Sequence, residues 1–168
     1  RDISNWFTTD VLYVADSFGS MSPTSIKKTI KTIKSVWRGS IGIHAHDNKG
    51  LALLNSISAI ENGAKYVDMT VLGMGRGAGN TKTECFLMEL TSRGYDKYSP
   101  DFIFPLVQQD FHSLHNKYRW GSNIYYYLSA IYSIHPTYIQ EMLSDNRYND
   151  EQILSAINFL KSIKSPFS

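Results

Sequence analysis

Over its first half the chain alternates short apolar runs with amphipathic stretches. VLYVAD (11–16) is a largely β-branched run, and SFGSMSP after it supplies the Gly, Ser and Pro of a turn. Ser22 is placed to cap a helix with Pro23 at its first position, where a missing N–H costs nothing. Ile26, Ile30, Ile33 and Trp37 then share one helical face, with Lys27, Lys28, Lys31 and Lys34 mostly away from it, and Gly39 is the expected stop. SIGIHAH (40–46) predicts a second strand; Leu51, Leu54, Ile57 and Ile60 predict a helix ending at Gly63. AKYVDMTV (64–71) predicts a third strand, and its exit GMGRGAGN leads into a helix over 81–92, with Asn80 as N-cap and Glu84 in the first turn. The order β-α-β-α-β-α makes parallel units with right-handed crossovers.

The pattern changes after residue 93. RGYDKYSPD (93–101) has the Gly, Pro and Asp of a connection, and beyond it the chain reads as helical. Phe102, Leu106, Phe111 and Leu114 form one predicted face; Ile153, Leu154, Ile157, Leu160 and Ile163 form another, with Asn149 and Gln152 as a capping pair. The intervening RWGSNIYYYLSAIYSIHPTYIQEM is dense in tyrosine, which reads first as core or interface, and His112, His115 and His135 take the same reading. Two regions follow: 1–93, strand–helix units, and 94–168, a helical extension.

Composition narrows the class. The 168 residues are about one domain, and 42% apolar with 13% aromatic content can build a core. Lys+Arg 17 against Asp+Glu 15 leaves +2, too little to mark a nucleic-acid or membrane-surface partner. No apolar run reaches the ~18–20 residues of a membrane span. A lone Cys85 excludes a disulfide framework and fits a cytoplasmic location. The chain opens on Arg1, without Met and almost directly on a strand, so it reads as cut.

Three strand–helix units fit an open doubly wound sheet or part of a (β/α)8 barrel, which takes ~250 residues when complete. Either way, chemistry belongs at the carboxyl ends of the strands, where Asp16-Ser17, His44 to Asn48 and Gly73 to Asn80 gather. His44 and His46, two apart on a strand, point to one face and could take adjacent positions on a divalent cation. Spacing alone is equally compatible with a hydrogen-bonded pair. Asp47 and Asn48 follow where they could orient the imidazoles. Four glycines in residues 73–79 permit close backbone approach to a ligand, but G-x-G-x-G is a poor dinucleotide fingerprint. Asp16-Ser17 alone is turn chemistry more often than catalysis.

ADSFGSMSP, then IGIHAHDNKGLALLNSISAIENGAKYVDMT, then GMGRGAGNTKTE resemble the last three strand–helix units of the metallolyase superfamily of TIM barrels, which includes hydroxymethylglutaryl-CoA lyase, isopropylmalate and homocitrate synthases and 4-hydroxy-2-oxovalerate aldolase. The resemblance covers residues ~10–92. It implies an α/β fold, the C-terminal part of a TIM barrel with a helical extension, and a site for Mn or Mg at His44, His46 and Asn80. Asp47 and Asn48 would support that site, and Ser17, with Asp16 behind it, would contact substrate. The lyase's catalytic Cys loop is absent, since Met74, Gly75 and Arg76 stand there, and HDNKG differs from the HNDxG of the synthases. The aldolase branch fits best, with Arg76 a departure that points to an anionic substrate group. In the aldolase a tyrosine from the extension reaches the site; Tyr125 or Tyr126 is the counterpart, Tyr125 being preferred.

The implied activity is metal-dependent carbon–carbon cleavage or formation of a 4-hydroxy-2-oxo acid through a pyruvate-type enolate. The implied partners are a 2-oxo acid, an aldehyde, a second copy of the chain and an aldehyde-processing enzyme. The family's third metal ligand, an Asp, and its enolate-stabilising Arg come from the first strand and have no counterpart here. The chain therefore reads as the carboxy-terminal part of a larger enzyme, inactive alone. The rival readings are an acyl-CoA-dependent Claisen-type synthase and a non-catalytic half-barrel module.

Overall fold

β1 (Val11–Asp16), β2 (Ser40–Ala45) and β3 (Tyr66–Asp68) form one parallel sheet in the order β1-β2-β3. The structure is a computed structural model, and it describes Ile3, residues 8–95, Lys97 and residues 99–163. α1 (Pro23–Val36), α2 (Ala52–Glu61) and α3 (Thr83–Ser92) follow the three strands in turn. The register sets His44 opposite Ala15 on one side and Asp68 on the other.

Strand alternation sorts the side chains of the sheet. Val14, Asp16, Ile41, Ile43 and Ala45 are buried on the face that α1 and α2 cover, while Tyr13, Ala15, Tyr66 and Asp68 are exposed on the other. α1 starts at a capping box in which Ser22 and Ser25 exchange hydrogen bonds, with Pro23 in the first turn. It buries Ile26 and Ile30 fully, and each such side chain contributes about 1.5–3 kcal/mol on the transfer scale. A second core joins α6 (Ile124–Ile131), α7 (Pro136–Ser144) and α8 (Asp150–Ser162) around Tyr126, Ile139, Ile153 and Ile157. Ala78 of the glycine-rich loop belongs to that second core, so the loop is the seam between the two. α4 (Ile103–Leu106) and α5 (His112–Tyr118) run on through a wide turn at Val107–Phe111.

Four expectations shift. α1 stops at Val36 rather than at Gly39, because Trp37 turns extended and its indole N–H donates to the Ser40 carbonyl at 3.0 Å. β3 spans three residues, since Thr70 leaves the sheet to bridge Lys82. Asn80 does not cap α3; it bridges His46, and the helix begins two residues past Thr81. The 3-10 turn at Pro100–Phe102 rotates the next face by one residue: Ile103 and Val107 are buried, while Phe102 and Leu106 are exposed. Leu54 on α2, Leu154 on α8 and Ile163 just past its end likewise face out. Among the described residues, no helix is long and apolar enough to cross a membrane.

Candidate functional site

His44 closes the exposed side of β2, and its ring Nδ1 lies 3.0 Å from Asp68 Oδ2 on β3. Two residues on, His46 Nδ1 lies 2.9 Å from the Asp16 backbone carbonyl at the end of β1. A carbonyl oxygen only accepts, so His46 carries its proton on Nδ1 and keeps Nε2 unprotonated when neutral. The Asp68 carboxylate selects the same tautomer for His44. The two rings sit edge to face with centroids 4.8 Å apart. Two neighbouring imidazoles with Nδ1 engaged could each offer an Nε2 lone pair to a divalent cation. Among the described residues, no group of three or more His, Cys, Asp or Glu side chains is arranged to hold one. Asp68 was not among the residues that the sequence pattern picked out. Its register position beside His44 was the available signal.

The glycine-rich loop is bound directly to this strand end. The Asp47 N–H donates to the Gly79 carbonyl at 3.0 Å, and the Asn80 N–H donates to the Gly73 carbonyl at 3.0 Å. Gly79 has φ +76°, and a Cβ there would collide with the Gly73 carbonyl oxygen, so the loop closes only with glycine at that position. The Asn80 amide nitrogen donates to the Met74 carbonyl at 3.3 Å, leaving the amide oxygen as the atom with which Asn80 could take a cation.

The acidic residues have structural partners. The buried Asp16 carboxylate accepts the Ser20 and Met21 N–H groups at 3.0 and 3.1 Å and so shapes the β1–α1 turn. Burial pushes its pKa up, and these two N–H groups oppose that shift. Asp16 therefore meets His46 through its backbone carbonyl, while its carboxylate is engaged in the β1–α1 turn. Ser17, next in the turn, is exposed. Asp47 accepts the Ala52 N–H at the start of α2 at 2.9 Å; burial raises its pKa as well. Asn48 is buried, its Nδ2 has no partner among the described residues, and it packs so closely on Gly19 that a Cβ there would overlap its amide. Asn48 holds the extension too, accepting the Ser122 hydroxyl on its carbonyl at 3.0 Å.

The remaining predicted residues lie elsewhere. Arg76 lines a cavity of about 770 Å³ between the glycine loop and the helical extension, together with Tyr126 and Trp120. None of His44, His46, Asp16, Ser17 or Asn80 lines it. Tyr125 points the other way: its phenol lies against Asp150, which raises its pKa. Tyr126 is the tyrosine that approaches the glycine loop. His135 caps α7 through Nδ1, and His115 packs edge-on against Trp120. Neither joins the site.

The family model described as HMGL-like matches residues 7–115. The chain belongs to this family. Among curated relatives, the chain is 45% identical over 87 residues to a 4-hydroxy-2-oxovalerate aldolase of Carboxydothermus hydrogenoformans, covering 52% of this chain and 26% of that protein. It is 34% identical over 101 residues to an oxaloacetate decarboxylase of Mycobacterium tuberculosis, covering 60% and 30%. The chain thus spans about a quarter to a third of the curated relatives it matches. The N-terminal domain of a protein from Bacteroides vulgatus, described as a candidate aldolase, superposes with TM-score 0.76 at 33% identity, over 88% of this chain and 48% of that one. The carboxyl transferase domain of Rhizobium etli pyruvate carboxylase superposes at TM-score 0.65 and 18% identity, over 83% and 24%, a likeness of fold alone. The three strand–helix units accordingly have the arrangement of part of a TIM barrel.

Proposed function

We propose that this chain carries the histidine half of a divalent-cation site in an aldolase that cleaves or forms a 4-hydroxy-2-oxo acid. One observation carries the reading. Both Nδ1 atoms are engaged, by Asp68 and by the Asp16 carbonyl, and this presents two Nε2 lone pairs from one strand end. Asn80 fits as a third contact through its amide oxygen. Mn²⁺ or Mg²⁺ held there would polarise a 2-oxo acid's carbonyl and stabilise the enolate that carbon–carbon cleavage leaves. Aldolase and oxaloacetate decarboxylase differ in the group that departs, an aldehyde or carbon dioxide, and share a pyruvate-type enolate. The names of the relatives thus support the same half of the reaction.

The chain's own residues supply positioning. Asp68 holds the His44 ring, the β1 carbonyl holds His46, and the Gly73–Gly79 closure holds Asn80 against the strand end. Calorimetry with Mn²⁺ tests the assignment on the chain. His44→Ala and His46→Ala should each remove measurable binding, and Asp68→Ala should weaken it about 10–100-fold, the usual effect of losing a ligand's orienting partner. Equal Mn²⁺ affinity in the wild type and both histidine variants would refute it.

A further inference from the structure

The cavity that receives Arg76 has no role in the reading above, and its lining is chemically lopsided. Arg76 enters from the glycine loop, while Lys117 and Arg119 enter from the end of α5; among the described residues, no carboxylate lines the space. Among the described residues, none of the three forms an ion pair with an acidic side chain. Cations at a helix C-terminus alone would be an ordinary complement to the helix dipole. Arg76 comes from a separate element, which that explanation does not cover. Asn123, Ser144 and the buried Tyr126 add uncharged hydrogen-bonding groups.

The backbone is also set for this arrangement. Arg119 adopts φ +52°, a left-handed conformation that a non-glycine residue holds at a cost of about 1–2 kcal/mol. Three hydrogen bonds keep the segment after it in place: Trp120 Nε1 to the Leu72 carbonyl, Gly121 N–H to the Gly77 carbonyl, and Ser122 Oγ to the Asn48 carbonyl, at 2.9, 3.0 and 3.0 Å. Strain retained by surrounding structure is a frequent mark of a binding position. A volume of about 770 Å³ lies within the range of small-molecule sites, and far exceeds what a bare anion fills. Apolar lining from Met74, Leu143 and Trp120 offers a surface for the rest of such a molecule.

We infer that this cavity binds a phosphomonoester of a small ring-bearing molecule, its phosphate held by Arg76, Lys117 and Arg119 and its ring against the apolar wall. Guanidinium groups suit the charge and geometry of a phosphate, and an ammonium adds a third point charge. The site is separate from the histidine pair and stands whether or not a cation binds there.

Titration calorimetry on the 168-residue chain with AMP, phenyl phosphate, inorganic phosphate and adenosine tests the inference. At least one of the two phosphomonoesters should bind saturably and more tightly than inorganic phosphate, and adenosine should not bind. Lys117→Gln and Arg119→Gln should each weaken that binding by roughly tenfold or more, with unchanged circular dichroism. Arg119→Gly separates charge from strain: it should raise the melting temperature while weakening binding. Failure of both phosphomonoesters to saturate would overturn the inference. So would inorganic phosphate binding as tightly as the esters, or wild-type affinity in the Lys117 and Arg119 variants.

Discussion

Thr81→Val is the sharpest test of how the candidate site is held. Thr81 is fully buried at the exit of the glycine loop, and its hydroxyl lies 2.8 Å from Ser56 Oγ and 3.2 Å from the Ala52 carbonyl, both on α2. Valine has nearly the same shape, so the change opens no cavity and leaves only the lost hydrogen bonds. Leaving a buried polar partner unsatisfied costs about 1–3 kcal/mol. The lower part of that range applies, because Ser56 can turn its hydroxyl to the preceding helical turn. Ser56→Ala alone should cost less, since Thr81 keeps the Ala52 carbonyl. The double variant should lose less than the sum of the two, because no orphaned hydroxyl remains. Urea unfolding followed by circular dichroism measures all three, with the midpoint shift at constant slope as the readout. A Thr81→Val variant within about 0.5 kcal/mol of wild type, the scatter of ordinary surface changes, would refute the pinning role. Strict additivity of the two single changes would refute the pairing itself.

Two further outcomes follow from the same geometry. Gly79→Ala should destabilise by more than about 2 kcal/mol, since positive φ combines with collision against the Gly73 carbonyl; Gly50→Ala, at φ +68° with open space around it, should cost only the ~1 kcal/mol of the left-handed conformation, and equal losses in urea would contradict the loop closure. Burial raises the Tyr126 pKa above its usual 10.0, with Arg76 opposing, so the folded state keeps this proton longer than the unfolded one. Stability from Tyr126 is therefore present below the ordinary phenol value and lost as pH rises through the folded one, and Tyr126→Phe should flatten that alkaline fall in pH-dependent melting. A fall as steep in the variant as in wild type would show that the phenol is not the group responsible.

The strand–helix order, the Ser22 N-cap, the Asn149–Gln152 capping pair and the same-face pairing of His44 and His46 were legible because each depends on residues within a turn or strand. Periodicity carried Ile26 and Ile30 for the same reason. What was not legible depends on contacts across the fold. Asp68 becomes the partner of His44 only through the β2–β3 register. Asn80 has the residue type of a helix cap, but pairing with His46 draws it away from α3. Tyr125 and Tyr126 are indistinguishable by local pattern, and only the packing of α6 sends one toward Asp150 and the other toward Gly77. Arg76 read as a residue of the histidine site because it shares a loop with Asn80; in the fold it lines a cavity against the helical extension.

The helix α2 shows why a stretch as polar as NSIS can be buried. Asn55, Ser56 and Ser58 are all buried, against the expectation for a helix read from its leucines and isoleucines. Two reach loop segments and one a helix start: Asn55 Nδ2 donates to the Met21 carbonyl after β1, Ser56 pairs with Thr81 at the end of the glycine loop, and Ser58 Oγ donates to the carbonyl of Pro23, the first residue of α1. Apolar packing could hold α2 on the sheet but could not set the position of a loop, because dispersion contacts are non-directional and hydrogen bonds are not. The polar face thus connects two strand exits, those after β1 and β3, to one rigid element, and the position of Asn80 relative to His46 depends on α2 as well as on β2. Changes on this face should therefore alter cation affinity at the histidine pair without touching it, whereas changes at Ile26 or Ile30 should lower stability and leave that affinity intact in the folded fraction.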